Sequence, residues 1–404
     1  MKLLKFIFTI SVLIFIFIAC EEDPSSLGVN LIDTKITIGE YDSINDSLQM
    51  QYSFNVSKDT IKNENLSTIL LGNYNGFKSV ALLRFFTDLP DSVLNGIKGD
   101  SAIIISSKLK IKPIYKIGDI SANFDFKIYE IKNSWKSINF TADSLANIQY
   151  DQVDMIESRS FTDSLIVLDI NKDLILKWIS DIIDPVGNLE FRNFGVIFEP
   201  TASSNGLISF GSYQERRAST GIPKVELIVK FTKTNKLDTL NLIHPTMNTF
   251  VTSGEFVSPG YDRLIVQGGY PVESKLKINF ESLPKNIAIN KAVMELTIDE
   301  VNSFHGSPST DSIYVSLFSN EEMTKLSLGS GTVAILKRNG NIFSGEITWL
   351  LQTIKTKNEN FGMRLNIDKA YGVFDRWVLY SNKESNKNLR PRIKITYTKK
   401  SANL

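Results

Sequence analysis

A segment from the first half of this chain returns in the second, and that return limits the architecture more than any other feature. Leu82-Leu83-Arg84-Phe85-Phe86-Thr87-Asp88-Leu89-Pro90 is echoed by Leu276-Lys277-Ile278-Asn279-Phe280-Glu281-Ser282-Leu283-Pro284. Each copy continues with an apolar strand pattern, 101–105 in one and 292–298 in the other. A second strand pattern follows, 126–129 and then 313–317. Next come a tryptophan-bearing apolar segment (Trp178, Trp349) and an Asn-Phe-Gly element, Asn193-Phe194-Gly195 and Asn360-Phe361-Gly362. Both copies close through a proline, Pro223 or Pro391, into a last strand. Landmarks in one order argue for two copies of one domain. The seam is expected at 232–242, where Lys, Thr and Asn replace apolar residues. The expected division is a leader of 1–19, a tether or first strand over 20–59, 60–232 first domain and 233–400 second domain.

Within each copy the local pattern is that of strands. Segments 82–86, 102–105, 108–114, 124–131, 194–198 and 224–231 are short and rich in Ile, Val, Phe and Tyr. Gly, Asn, Asp or Pro bounds them. Lys108-Leu109-Lys110-Ile111-Lys112 alternates with period two, one face apolar and one charged. One helix is expected over 171–183, where Leu174, Ile175, Trp178, Ile179 and Ile182 recur at helical spacing and Asp169 or Asn171 can cap the start. The expected fold class is mainly β: two tandem antiparallel, jelly-roll-like β-sandwich domains, each with one short helix.

The N-terminus carries an address. Lys2 and Lys5 precede an apolar run, 6–19, of the length a secretory signal uses and too short to span a bilayer comfortably. The run ends at Ile18-Ala19-Cys20, which resembles the lipobox of bacterial lipoproteins, with Phe17 where that motif usually has Leu. Cys20 is the single cysteine of 404 residues, so no internal disulfide can form. Acyl chains on its thiol would contribute about 0.8 kcal/mol per buried methylene. Glu21-Glu22-Asp23 behind it resembles the signal that sends Bacteroidetes lipoproteins to the outer face of the outer membrane. The expected location is therefore the outer membrane, lipid-anchored and facing the exterior, with the periplasmic face as the alternative.

Charge adds exclusions. Losing residues 1–19 removes two lysines, so 45 basic residues become 43 against 44 acidic ones. A near-neutral chain gives no case for nucleic acid. The expected partners are the lipid bilayer, through the N-terminal acyl chains, and a glycan or surface protein.

The landmark order resembles a known family. Leu83-Arg84-Phe85, Leu89-Pro90, Trp135, Leu168-Asp169-Ile170, Trp178, Asn193-Phe194-Gly195, Phe210-Gly211-Ser212 and Pro223 are similar to the DNRLRE-type β-sandwich. That domain is related to carbohydrate-binding modules and recurs in bacterial surface proteins. The resemblance covers about 60–231. A weaker form covers about 260–398, where Ile278 replaces the arginine and Glu346-Ile347 the Asp-Ile pair. The whole chain also resembles a family of Bacteroidetes surface lipoproteins. These landmarks fix turns and packing, so what they imply is fold rather than ligand.

Catalytic patterns are wanting. The chain has no Gly-rich phosphate loop before a helix, no Gly-x-Ser-x-Gly and no metal-protease or paired-cysteine spacing. His244 and His305 sit beside Pro245 and Gly306 and read as surface-loop histidines. No cofactor is implied; backbone and carboxylate oxygens could hold a calcium ion, as in other sandwich domains, but no loop has calcium-ligand spacing. Nine Asp-(Ser/Thr)-apolar triplets, among them Asp91-Ser92-Val93 and Asp238-Thr239-Leu240, resemble O-glycosylation acceptors and equally suit a turn that leads into a strand. Two aromatic, charged loops are candidate ligand sites. One offers Tyr213, Arg216 and Arg217, the other Tyr371, Phe374, Arg376 and Trp377. The expected function is non-catalytic surface binding or adhesion, to glycan. The alternatives are a structural or assembly component that binds protein partners, and an unrecognised polysaccharide hydrolase.

Overall fold

A computed structural model of the chain describes residues 37–42, 50–56, 68–85, 89–120, 124–162, 164–183, 192–212, 221–243, 245–257, 263–280, 283–284, 286–367 and 372–399. They form a mainly β protein of antiparallel sheets with few helices. In the first sandwich one layer has five strands, ordered Leu237–Ile243, Lys224–Phe231, Ala102–Ile111, Ile166–Ile170, Ile156–Phe161. The facing layer runs Tyr115–Gly118, Gly206–Gly211, Thr68–Tyr74, Phe77–Phe85, Val196–Pro200, Phe126–Glu130, and Pro245–Gly254 also pairs Phe77–Phe85. The period-two pattern acts as expected: Leu109 and Ile111 turn into the core, and Lys108 and Lys110 stay partly exposed. Leu83, Phe85, Phe126 and Phe198 meet them from the other layer. The expected helix spans Lys172–Ile183, joined by shorter ones at Asp91–Lys98 and Ala142–Ala146 where one helix is expected, and the Asn171 side chain accepts from the Asp173 N–H at 2.8 Å. Leu174, Ile175, Trp178 and Ile179 are buried, Trp178 stacked on Phe85, whereas Ile182 faces solvent. Residues 131–150 cover the outer face of the larger layer, where Trp135, Phe140 and Ile148 pack on Leu82, Tyr129 and Ile197.

The second sandwich repeats the first. Val272–Ile278 takes the place of Phe77–Phe85, Met363–Ile367 that of Val196–Pro200, and Arg392–Lys399 that of Lys224–Phe231. The Asn-Phe-Gly element does the same work twice. Asn193 Nδ2 donates to Phe85 O, and Asn360 Nδ2 donates to Ile278 O. The glycines follow at φ 91° and 95°, where a side chain is strained, and both pass close to a backbone carbonyl, Leu83 O or Leu276 O. In this copy one ladder of eleven strands curls round the core, because the hairpin of Val333–Asn339 and Ile342–Glu346 links the two layers.

Strand pairing crosses the expected boundary at 232–233. Leu237–Ile243 and Pro245–Gly254 complete the first sandwich, on Lys224–Phe231 and Phe77–Phe85. Thr37–Asp42 and Met50–Val56 complete the second in the corresponding places, on Arg392–Lys399 and Val272–Ile278. Each repeat is thus preceded by a strand pair that belongs to the other. The polar seam is a turn followed by an edge strand, whose exposed side chains read as linker.

The two sandwiches meet tightly. Lys116 and Ser307 exchange backbone hydrogen bonds at 2.9 and 2.7 Å. The Tyr115 hydroxyl donates to Asp375 Oδ1 at 2.7 Å. Asp375 is fully buried and also accepts from the Gly306 N–H at 2.8 Å and the Thr310 N–H at 2.5 Å. Burial, reinforced by the Asp375 charge, pushes the Tyr115 phenol far above its ordinary value. A Cβ on Gly306 would strike the Tyr115 ring, so glycine permits this approach.

Candidate functional site

Of the two loops expected to present aromatics, only part of the second lies among the described residues. Tyr213, Arg216, Arg217 and Tyr371 lie outside the described residues, as do Cys20 and His244. Phe374, Arg376 and Trp377, candidates for a ligand site, are described and buried, at 0, 7 and 0 % exposure, so they present no solvent-facing platform. The reason is covering by remote segments. Phe374 stacks on Phe304 and meets Phe77 edge-on. The Arg376 guanidinium lies over Phe77, Phe256 and Phe304, and its Nε donates to Gln267 Oε1 at 2.5 Å. Burial lowers its pKa to about 10. Trp377 packs against His305, Arg338 and Phe343, and its Nε1 donates to Thr310 O at 3.0 Å. His305 itself is exposed on its loop.

Among the described residues, an exposed tryptophan lies elsewhere. Trp135, Trp178 and Trp377 are each at most 8 % exposed, whereas Trp349 is 69 % exposed. It sits in the first turn of the helix Thr348–Lys357, whose buried stripe is Leu350, Leu351 and Ile354. Trp349, Gln352, Thr353 and Thr356 stand at i, i+3, i+4 and i+7, so they share the opposite face. That face forms one wall of an open groove of about 570 Å³, and Leu328, Ser330, Gly331 and Thr332 form the other. Leu328 is 92 % exposed, and Lys357 stands at the end of the groove.

The groove is held in shape by its own hydrogen bonds. The Thr353 hydroxyl donates to Gly331 O at 3.1 Å and the Thr332 hydroxyl to Gly329 O at 2.8 Å. Gln352 Nε2 donates to Ile289 O at 2.8 Å, and the Ala292 N–H donates to Thr348 Oγ1 at 2.9 Å, which fixes the helix on the strand Ile287–Thr297. The result is a flat apolar surface beside hydroxyls and one ammonium. The signal for it was present in the sequence, since a helical wheel sets Trp349 opposite the apolar stripe. Alignment with buried Trp178 hides that.

Among the described residues, no group of three or more His, Cys, Asp or Glu is placed to hold a metal, and no helix is long and apolar enough to cross a membrane. Of the nine Asp-(Ser/Thr)-apolar hydroxyls, Ser92, Ser164 and Thr239 are exposed; Ser101, Ser144 and Ser312 are half-buried; Ser43, Ser47 and Thr60 lie outside the described residues.

No family model matches the chain, and no curated protein matches it. Among solved structures, the Streptococcus agalactiae AgI/II polypeptide BspA C-terminal domain, wild type, aligns over 87 % of this chain and 92 % of its own. The identity is 8 % and the TM-score 0.17. A mutant form of the BspA C-terminal domain aligns over 83 % and 91 %, with 8 % identity and a TM-score of 0.11. Superpositions that loose carry no argument about this chain.

Proposed function

We propose that this chain is a non-catalytic lipoprotein of the cell envelope, anchored through Cys20, that binds glycan at the cell exterior. The anchor rests on the basic, apolar and Ala-Cys sequence of residues 1–20. The observation that carries glycan binding is the Trp349 groove. The apolar face of a pyranose ring suits a flat exposed indole, and the hydroxyls of Ser330 and Thr356 stand beside it to meet sugar hydroxyls. A groove this open buries little ligand area, so single-site affinity is weak.

A second reading has its own support. Val333 and Ile335 expose 52 % and 40 % of their surface on the strand that follows the groove loop, and apolar exposure of this kind also suits a protein partner. Binding of the full chain, in mild detergent, to a panel of insoluble polysaccharides separates the two. Trp349→Ala should weaken retention about tenfold, the loss expected for about 1.4 kcal/mol of stacking, with melting unchanged. If the wild-type chain is retained by no polysaccharide, the protein-partner reading replaces this one.

A further inference from the structure

The exchanged strand pairs give the N-terminus an unexpected destination. Residues 37–56 stand before the first sandwich in sequence, yet both strands are built into the second. We infer that the second sandwich is an acceptor for the strands Thr37–Asp42 and Met50–Val56 as a separable partner segment, and that this docking joins the N-terminal anchor directly to the sandwich that carries the Trp349 groove. The inference deepens the proposed function and rests on it for the meaning of the joint, though not for the joint itself.

Two features make the docking specific. Thr37–Asp42 pairs residue for residue with residues 394–399 and ends on an ion pair: Arg392 Nε donates to the two Asp42 carboxylate oxygens at 2.9 and 3.0 Å. Those residues are 350 positions apart in sequence. Tyr41 is 7 % exposed and joins the core of the second sandwich opposite Ile395, so the segment supplies a core side chain as well as an edge. Met50–Val56 then pairs with Val272–Ile278 along its full length. A ladder on two separate edges, a buried aromatic and a bidentate ion pair together form a docking site rather than a passing contact.

The path from groove to anchor is short. The Trp349 helix is fixed to Ile287–Thr297 through Thr348 and Gln352. That strand pairs with Arg392–Lys399, which pairs with Thr37–Asp42. No step passes through the first sandwich. A pull on bound ligand against a lipid anchor at Cys20 therefore loads the ladders of Thr37–Asp42 and Met50–Val56 in shear, and the first sandwich is spared the load while they hold.

The test cuts the covalent link and asks whether the joint holds. A site-specific protease sequence is inserted after Ile61 in the full chain, which carries a C-terminal affinity tag. The purified protein is cut in mild detergent and captured by the tag. The N-terminal fragment should be retained, and Arg392→Ala should raise its loss on washing several-fold. Tyr41→Ala gives a second variant on the same strand, expected to act in the same direction. A fragment that leaves the resin as soon as the chain is cut would overturn the inference, as would variants that wash off no faster than wild type. Neither result depends on lipid or glycan, so a failure of the proposed function leaves this readout intact.

Discussion

Asp375 is where the junction between the sandwiches is most open to test. Asp375→Ala removes the acceptor of three hydrogen bonds: from the Tyr115 hydroxyl of the first sandwich at 2.7 Å, and from the Gly306 and Thr310 amides of the second at 2.8 and 2.5 Å. Each buried donor left without an acceptor costs about 1–3 kcal/mol. Relief from burying a carboxylate offsets part of the sum, so the expected loss is roughly 3–5 kcal/mol. Tyr115→Phe keeps the two amide bonds and should cost about 1–2 kcal/mol. Urea unfolding at pH 7 measures both, and the double variant should show a coupling of at least about 0.5 kcal/mol. The same tyrosine makes an alkaline prediction. Its folded pKa is raised, so its contribution is complete below the ordinary phenol value of about 10 and is lost as pH rises beyond it. Wild type should therefore weaken above about pH 10 more steeply than Tyr115→Phe. A loss below about 1 kcal/mol for Asp375→Ala, or strictly additive single variants, would refute the junction as described.

Trp377→Ala should lower stability by about 3–5 kcal/mol in the same assay, because a fully enclosed indole leaves a cavity; an unchanged midpoint would return that residue to the surface. Proteolytic cutting in the turn at 232–236 should leave one particle on size exclusion, since the strand pairs on either side are exchanged between sandwiches; two separately eluting halves would contradict the exchange. Cys20→Ala should abolish incorporation of labelled palmitate, and labelled variant would remove the anchor from the account.

Much of each sandwich was legible because its signals are local. Period-two runs such as 108–112 report which face is buried, and Asn171 caps the helix it precedes. The repeat was legible because the Asn-Phe-Gly elements perform one geometric task in both copies. The strand exchange was not, because pairing between residues 350 apart leaves no periodic trace. Leu237–Ile243 misled for a related reason: an edge strand with exposed side chains has the composition of a linker. Residues 374–377 look like a loop by their Asp, Arg and Gly neighbours, but Arg338, Phe304 and Phe77 arrive from other elements to bury them. Burial supplied from a distance cannot be read from the buried segment.

Glycan binding at Trp349 can be read from the tryptophans themselves. Three of the four are buried, so quenching of tryptophan emission by acrylamide in the full chain reports mainly on Trp349. The account predicts that a polysaccharide which retains the chain will protect that emission, and that Trp349→Phe will remove the protectable fraction without changing the melting temperature. Retention on polysaccharide with acrylamide quenching unchanged would place the binding site elsewhere and contradict the account.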